Sequence, residues 1–164
     1  MGTSGHILTN IETYDPIKCI KDVKLAIINA GLYTKNDVFT HKLDNNFVYY
    51  DINIFDKTAF YSDENDYLNL GEEIILNIDS IDTAEKDNWT TNNDNINKLY
   101  RVIYLDHISD NETIAFKFVY EFLKLNPNNC LWTEYDWVYT LSDMEKLKQR
   151  PFDPDWCYKD PRNL

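Results

Sequence analysis

Three histidines, His6, His41 and His107, are the first residues to weigh for chemistry, and their spacing builds no site. None belongs to a His-Glu-x-x-His pattern or to another ligand pair at helical spacing. Asp106-His107 with Asp110 could offer metal ligands at a strand end. The same residues suit a turn into a helix capped by Ser109 or Asp110, and that bland reading is preferred. Asp63-Glu64-Asn65-Asp66 through Gly71-Glu72-Glu73 resembles a calcium loop only loosely. Tyr67 occupies the third ligand position and the glycine comes too late. No metal is expected.

Nucleophilic and cofactor chemistry fare no better. Cys19, Cys130 and Cys157 are widely spaced and form no Cys-x-x-Cys pair, so they read as reduced thiols of a cytoplasmic protein. No Gly-x-Ser-x-Gly elbow exists. Four glycines, Gly2, Gly5, Gly31 and Gly71, leave no phosphate-cradling loop. No cofactor and no catalytic residue are expected. The run Leu131-Trp132-Thr133-Glu134-Tyr135-Asp136-Trp137-Val138-Tyr139 could form a recognition surface, because Trp and Tyr dominate interface hot spots. The alternative, that Trp132, Trp137 and Tyr139 complete the core against the second helix, is favoured for most of them, with one or two left partly exposed. Trp156 and Tyr158 should pin the tail in the same way.

The strongest functional signal is charge. The 164 residues carry 28 acidic against 16 basic side chains, a net of −12. Residues 1–46 hold five lysines and five acids, and residues 111–164 hold seven basic and nine acidic residues. Residues 47–110 hold four basic residues, Lys57, Lys86, Lys98 and Arg101, against fourteen acids. The imbalance therefore belongs to the middle of the chain. A solvated acidic surface is one account of it. An electronegative face for a basic partner is the other, since concentrated like charge repels itself until something offsets it. The candidate contact residues are Asp63, Glu64, Asp66, Glu72, Glu73, Asp79, Asp82, Glu85, Asp87 and Asp94, with Trp89 as an apolar anchor. A nucleic-acid ligand is excluded by a field that repels phosphate. No apolar run approaches the roughly 20 residues of a membrane span, and no secretory signal opens the chain.

These residues must be held by elements that the pattern predicts. Gly5 to Ile11 reads as a strand. Asp15 and Pro16 start a helix that ends at Gly31, with Ile17, Ile20, Val23, Ile27 and Ala30 as its apolar stripe. Val38 to Leu43 and Phe47 to Phe55 form a hairpin around Asp44-Asn45-Asn46. Glu72 to Ile78 and Leu99 to Leu105 are strands, while 63–66 and 82–97 are loops. A second helix runs from Asn111 to Leu125 and stops at Asn126-Pro127. It is apolar nearly all round, so it should be buried on more than one side. Cys130 to Trp132 is a short strand, and Leu141 to Gln149 a helix capped by Thr140 or Ser142. Residues 1–4 and 151–164 should be irregular.

Strands in the middle and helices at both ends predict an α+β fold. One domain spans 1–164: a mainly antiparallel sheet of four to six strands, packed against two or three helices. A composition 43% hydrophobic and 15% aromatic supplies the core it needs. The ending from Phe118 to Leu147, with Asn126-Pro127, Trp137-Val138-Tyr139-Thr140 and Asp143-Met144-Glu145, resembles small bacterial proteins of the polymorphic-toxin immunity type. That resemblance implies a stand-alone cytoplasmic protein that binds and blocks a toxin, with no catalytic residues to transfer. The expected function is thus a binding module that neutralises a basic toxin, a nuclease being the natural class. The alternative is a small enzyme or ligand-binding domain with a dispersed, aromatic-lined site.

Overall fold

The computed structural model describes residues 3–34, 39–43, 46–56, 73–80 and 99–164. The loops expected at 63–66 and 82–97 lie outside the described residues, as do Asp44 and Asn45 of the hairpin turn.

The described strands are β1 (Gly5–Asn10), β2 (Tyr33–Thr34), β3 (Phe39–Leu43), β4 (Asn46–Phe55), β5 (Glu73–Asp79), β6 (Leu99–Asp106), β7 (Cys130–Thr133) and β8 (Val138–Tyr139). They form one sheet in the order β2-β4-β5-β6-β1-β7-β8, with β3 also paired to β4. Every pairing is antiparallel. The α+β class is as expected. The eight described strands exceed the expected four to six because β2 and β8 have only two residues each, too few to show alternation.

Alternation divides the sheet into two faces. Tyr50, Ile52 and Ile54 on β4, Ile74, Leu76 and Ile78 on β5, Ile103 and Leu105 on β6, Ile7 on β1, Leu131 on β7 and Tyr139 on β8 all belong to one buried core cluster. The pairing Ile52–Leu76–Leu105 and the pairing Tyr50–Ile78–Ile103–Ile7–Leu131–Tyr139 show that these residues stack in register. β6 departs from simple alternation. Ile7 pairs with Ile103 but Leu8 pairs with Arg101, so Val102 is an extra residue in a β-bulge. Val102 and Ile103 therefore both enter the core.

Helices α1 (Pro16–Asn29), α2 (Glu112–Leu125) and α3 (Leu141–Lys148) complete the fold. Asp15 caps α1, its Oδ1 accepting from the N–H of Ile17 at 2.9 Å and of Lys18 at 3.2 Å. Gly31 follows in the left-handed region at φ 68°, where a side chain would be strained. Cys19, Val23, Ala26 and Ile27 are the buried residues of α1. Ile17 lies about a third of a turn from that stripe at 3.6 residues per turn and faces outward, a correction to the expected stripe. α2 buries Ile114, Ala115, Phe118, Val119, Phe122 and Leu123. It packs on α1, the sheet and α3, as its all-round apolar surface requires.

The start of α2 differs from expectation. Neither Ser109 nor Asp110 caps it. Asn111 holds the cap position, and its Nδ2 donates back to the His107 carbonyl at 2.9 Å. His107 and Asp110 are both left-handed, at φ 62° and 68°, and the turn they form delivers Asn111 to the cap position. α3 starts as expected at Thr140, which forms a capping box with Asp143.

Residues 151–164 are more regular than expected, with 3-10 turns at Trp156–Tyr158 and Pro161–Asn163. Trp156 is buried, and its Nε1 donates to the Glu112 carbonyl at 3.0 Å. The Tyr139 hydroxyl donates to the carbonyls of Trp156, at 2.7 Å, and Lys159. Tyr139→Phe should therefore strand buried carbonyls and lower unfolding free energy by about 1–3 kcal/mol, read from urea denaturation. An unchanged midpoint would show that the hydroxyl does not hold the tail.

Candidate functional site

Among the described residues the helices cover one face of the sheet, and the other carries mainly polar and aromatic side chains. Register places Asp51, Asn77, Tyr104, His6, Trp132 and Val138 in a single row across β4, β5, β6, β1, β7 and β8. Every member of the row is half-buried. Asn53, Glu73, Ile75, Asp79 and Asp106 stand on the same face by alternation.

The row has two chemically different halves. On β4 and β5 it is a carboxylate and carboxamide field. Asn77 Nδ2 donates to Asp51 Oδ1, and Asn53 Nδ2 donates to Glu73 Oε2 at 3.2 Å. These bonds orient the two carboxylates on this face. On β6, β1 and β7 the row is aromatic. The His6 ring lies 5.0 Å from Tyr104 and 5.4 Å from Trp132, centroid to centroid. Arg101 stands 5.4 Å over the Trp132 ring, a cation–π arrangement. Leu8 and Cys130 are buried beside it. Ser4 donates to Glu134 at the end of this half.

Burial first, and the Arg101 guanidinium second, lower the His6 pKa from 6.5 to about 4. His6 is thus a neutral imidazole at neutral pH. Burial raises the Tyr104 phenol as well, so it stays protonated.

Of the candidate contact residues, Glu73 and Asp79 are described, and both lie on this face. Asp63, Glu64, Asp66, Glu72, Asp82, Glu85, Asp87, Asp94 and Trp89 lie outside the described residues. Asp51 and Asp106, two further acids of the central segment, share the face with Glu73 and Asp79. Trp132 is a partly exposed member of the aromatic run, as expected for one or two of them. Tyr139 enters the core and Trp137 packs against it, but Trp132 falls on the opposite face beside His6. Tyr135 is exposed. The joint contribution of His6, Arg101 and Tyr104 was not legible from spacing. Arg101 and Tyr104 are three residues apart and would face opposite ways in a regular strand; the bulge at Val102 turns them to one side.

Other chemistry is limited. Cys19, Cys130 and Cys157 are free and buried, and burial pushes each thiol up to about 12, which disfavours a thiolate. No group of three His, Cys, Asp or Glu among the described residues could hold a metal ion. His107 Nε2 lies 4.0 Å from Asp106 Oδ2. A cleft of about 230 Å³ lies between the start of α1 and the end of α2. Lys18 bridges its mouth, donating to Asp22 at 2.5 Å and to Asn126 at 3.2 Å, so its charge is already engaged.

The neutral state of His6 has a measurable sign. Its folded pKa lies below its unfolded one, so the stability it contributes is present above pH 6.5 and is lost as pH falls towards 4. The loss should reach about 3 kcal/mol by pH 4, less any solvent screening at the half-buried ring. Unfolding free energies of the protein and of His6→Phe should converge over that range. A pH-independent difference between them would overturn the assignment. Comparison with known proteins finds no matching family, curated protein or solved structure.

Proposed function

We propose that this protein is a cytoplasmic binding module of the immunity or inhibitor type, acting by contact and not by catalysis. Its partner is a basic protein, a toxin whose own binding cleft is positive; a nuclease fits, because such a cleft must accept phosphate. The observation that carries this reading is the common placement of Asp51, Glu73, Asp79 and Asp106 on the face of the sheet opposite the described helices. Carboxylates on that face stand in for substrate phosphates and occlude the cleft. The aromatic half beside them, Tyr104, His6 and Trp132, supplies apolar contact area of the kind that anchors interfaces.

Electrostatic steering gives the proposal its test. A partner recovered from the native host should associate at least 10-fold faster at low salt than at high salt. The double substitution Glu73→Lys and Asp79→Lys should slow association about 10-fold at low ionic strength while changing dissociation little. Far-ultraviolet circular dichroism checks that the variant is folded. An association rate indifferent to salt and to both substitutions would remove the electrostatic mechanism.

A second reading rests on the His6–Tyr104–Trp132 cluster itself, which has the aromatic character of a small-molecule site. Quenching of Trp132 fluorescence by a small metabolite, abolished in His6→Ala, would favour it over a protein partner.

A further inference from the structure

The outward side of α1 carries large apolar side chains that no described residue buries. Ile17, Leu25 and Ile28 are 56%, 44% and 71% exposed. At 3.6 residues per turn they line one side of the helix together with Lys21 and Lys24, which are also exposed. This side is distinct from the buried stripe of Cys19, Val23, Ala26 and Ile27, so α1 is apolar on two sides. Single exposed apolar residues need no explanation, but Leu25 and Ile28 are adjacent at i,i+3, and Ile17 extends the same side two turns earlier, with Lys21 between them. The lysines are available. Among the described residues neither Lys21 nor Lys24 pairs with a carboxylate, and Lys24 Nζ lies 5.4 Å from the Tyr50 ring centroid.

We propose that this side of α1 docks an acidic amphipathic helix of another protein. Apolar ridge residues of the incoming helix would lie on Ile17, Leu25 and Ile28, and its flanking carboxylates would meet Lys21 and Lys24. Charge separates this occupant from the others. In an antiparallel pairing of two copies, Ile17 of one meets Ile28 of the other, and Lys21 then meets Lys24. Four ammonium groups would crowd the two-fold axis with no described carboxylate to separate them, which disfavours a second copy. An anionic lipid surface is disfavoured by the net charge of −12 on the whole molecule. The surface lies on the opposite side of the sheet from the acidic face, so it does not depend on the function proposed for that face.

The test uses the whole protein and two synthetic helical peptides that share a leucine ridge, one flanked by glutamates and one by lysines. Fluorescence anisotropy should show the glutamate peptide binding at least 10-fold more tightly than the lysine peptide. Lys21→Glu with Lys24→Glu should reverse that preference, and Ile28→Asp should abolish binding of both. These positions are exposed, so the fold should persist, as circular dichroism checks. Equal affinity for the two peptides, or binding of neither, overturns the proposal. So does a dimer in sedimentation equilibrium that Ile28→Asp dissociates, or binding to phosphatidylserine vesicles that Lys21→Glu weakens.

Discussion

Gly5 lies where three segments converge. A Cβ built on it would stand 3.2 Å from the Ile108 side chain, the Leu131 side chain and the Trp132 carbonyl. That tightness marks the constraint on which the remaining structure depends, the insertion of β1 between β6 and β7. Its neighbours lie about a hundred residues away in the chain, yet both pair with it in register. Without β1 the core row is broken at Ile7, between Ile103 and Leu131. The polar row is broken at His6, between Tyr104 and Trp132. One strand therefore holds together both faces of the sheet. Sheets built on such distant pairings must close long loops before the contacts reward it, which slows folding relative to local topologies.

The same strand explains how chemistry can assemble without a motif. His6, Arg101, Tyr104 and Trp132 come from three strands and share a face because of pairing register, with the bulge at Val102 correcting the phase of β6. A one-residue slip of β1 would send Ile7 to the polar face and His6 into the core, exchanging an aliphatic side chain for an imidazole that would need a partner there. The buried, neutral His6 is thus a consequence of the register as much as of its own surroundings.

Local pattern carried much of the fold. Helix α1 between Asp15 and Gly31, the breadth of the apolar surface on α2, the Thr140 cap of α3 and the strands at 46–55, 73–79 and 99–106 all follow from capping chemistry or alternation. The failures have physical causes. Two-residue strands contain no period. Ile17 was assigned to the buried stripe by residue type, although its angle on the helix puts it outside. The cap of α2 fell to Asn111 because left-handed residues at 107 and 110 reroute the turn. Trp132 of the aromatic run is partly exposed because β7 alternates and places it opposite Leu131. Segmental charge located the acidic surface in the middle of the chain, whereas the face those acids occupy depends on strand pairing that composition does not encode.

Separation of charge across the thickness of the sheet adds a property that neither surface has alone. Asp51, Glu73, Asp79 and Asp106 stand on one side, and α1, with three lysines and one aspartate, stands on the other. Taken by themselves, these described charges give an electric dipole with a component normal to the sheet. A charged neighbour exerts a torque on such a body as well as a force, and turns it during approach. Rotational search, which ordinarily limits how fast two specific patches meet, is then partly completed before the surfaces touch.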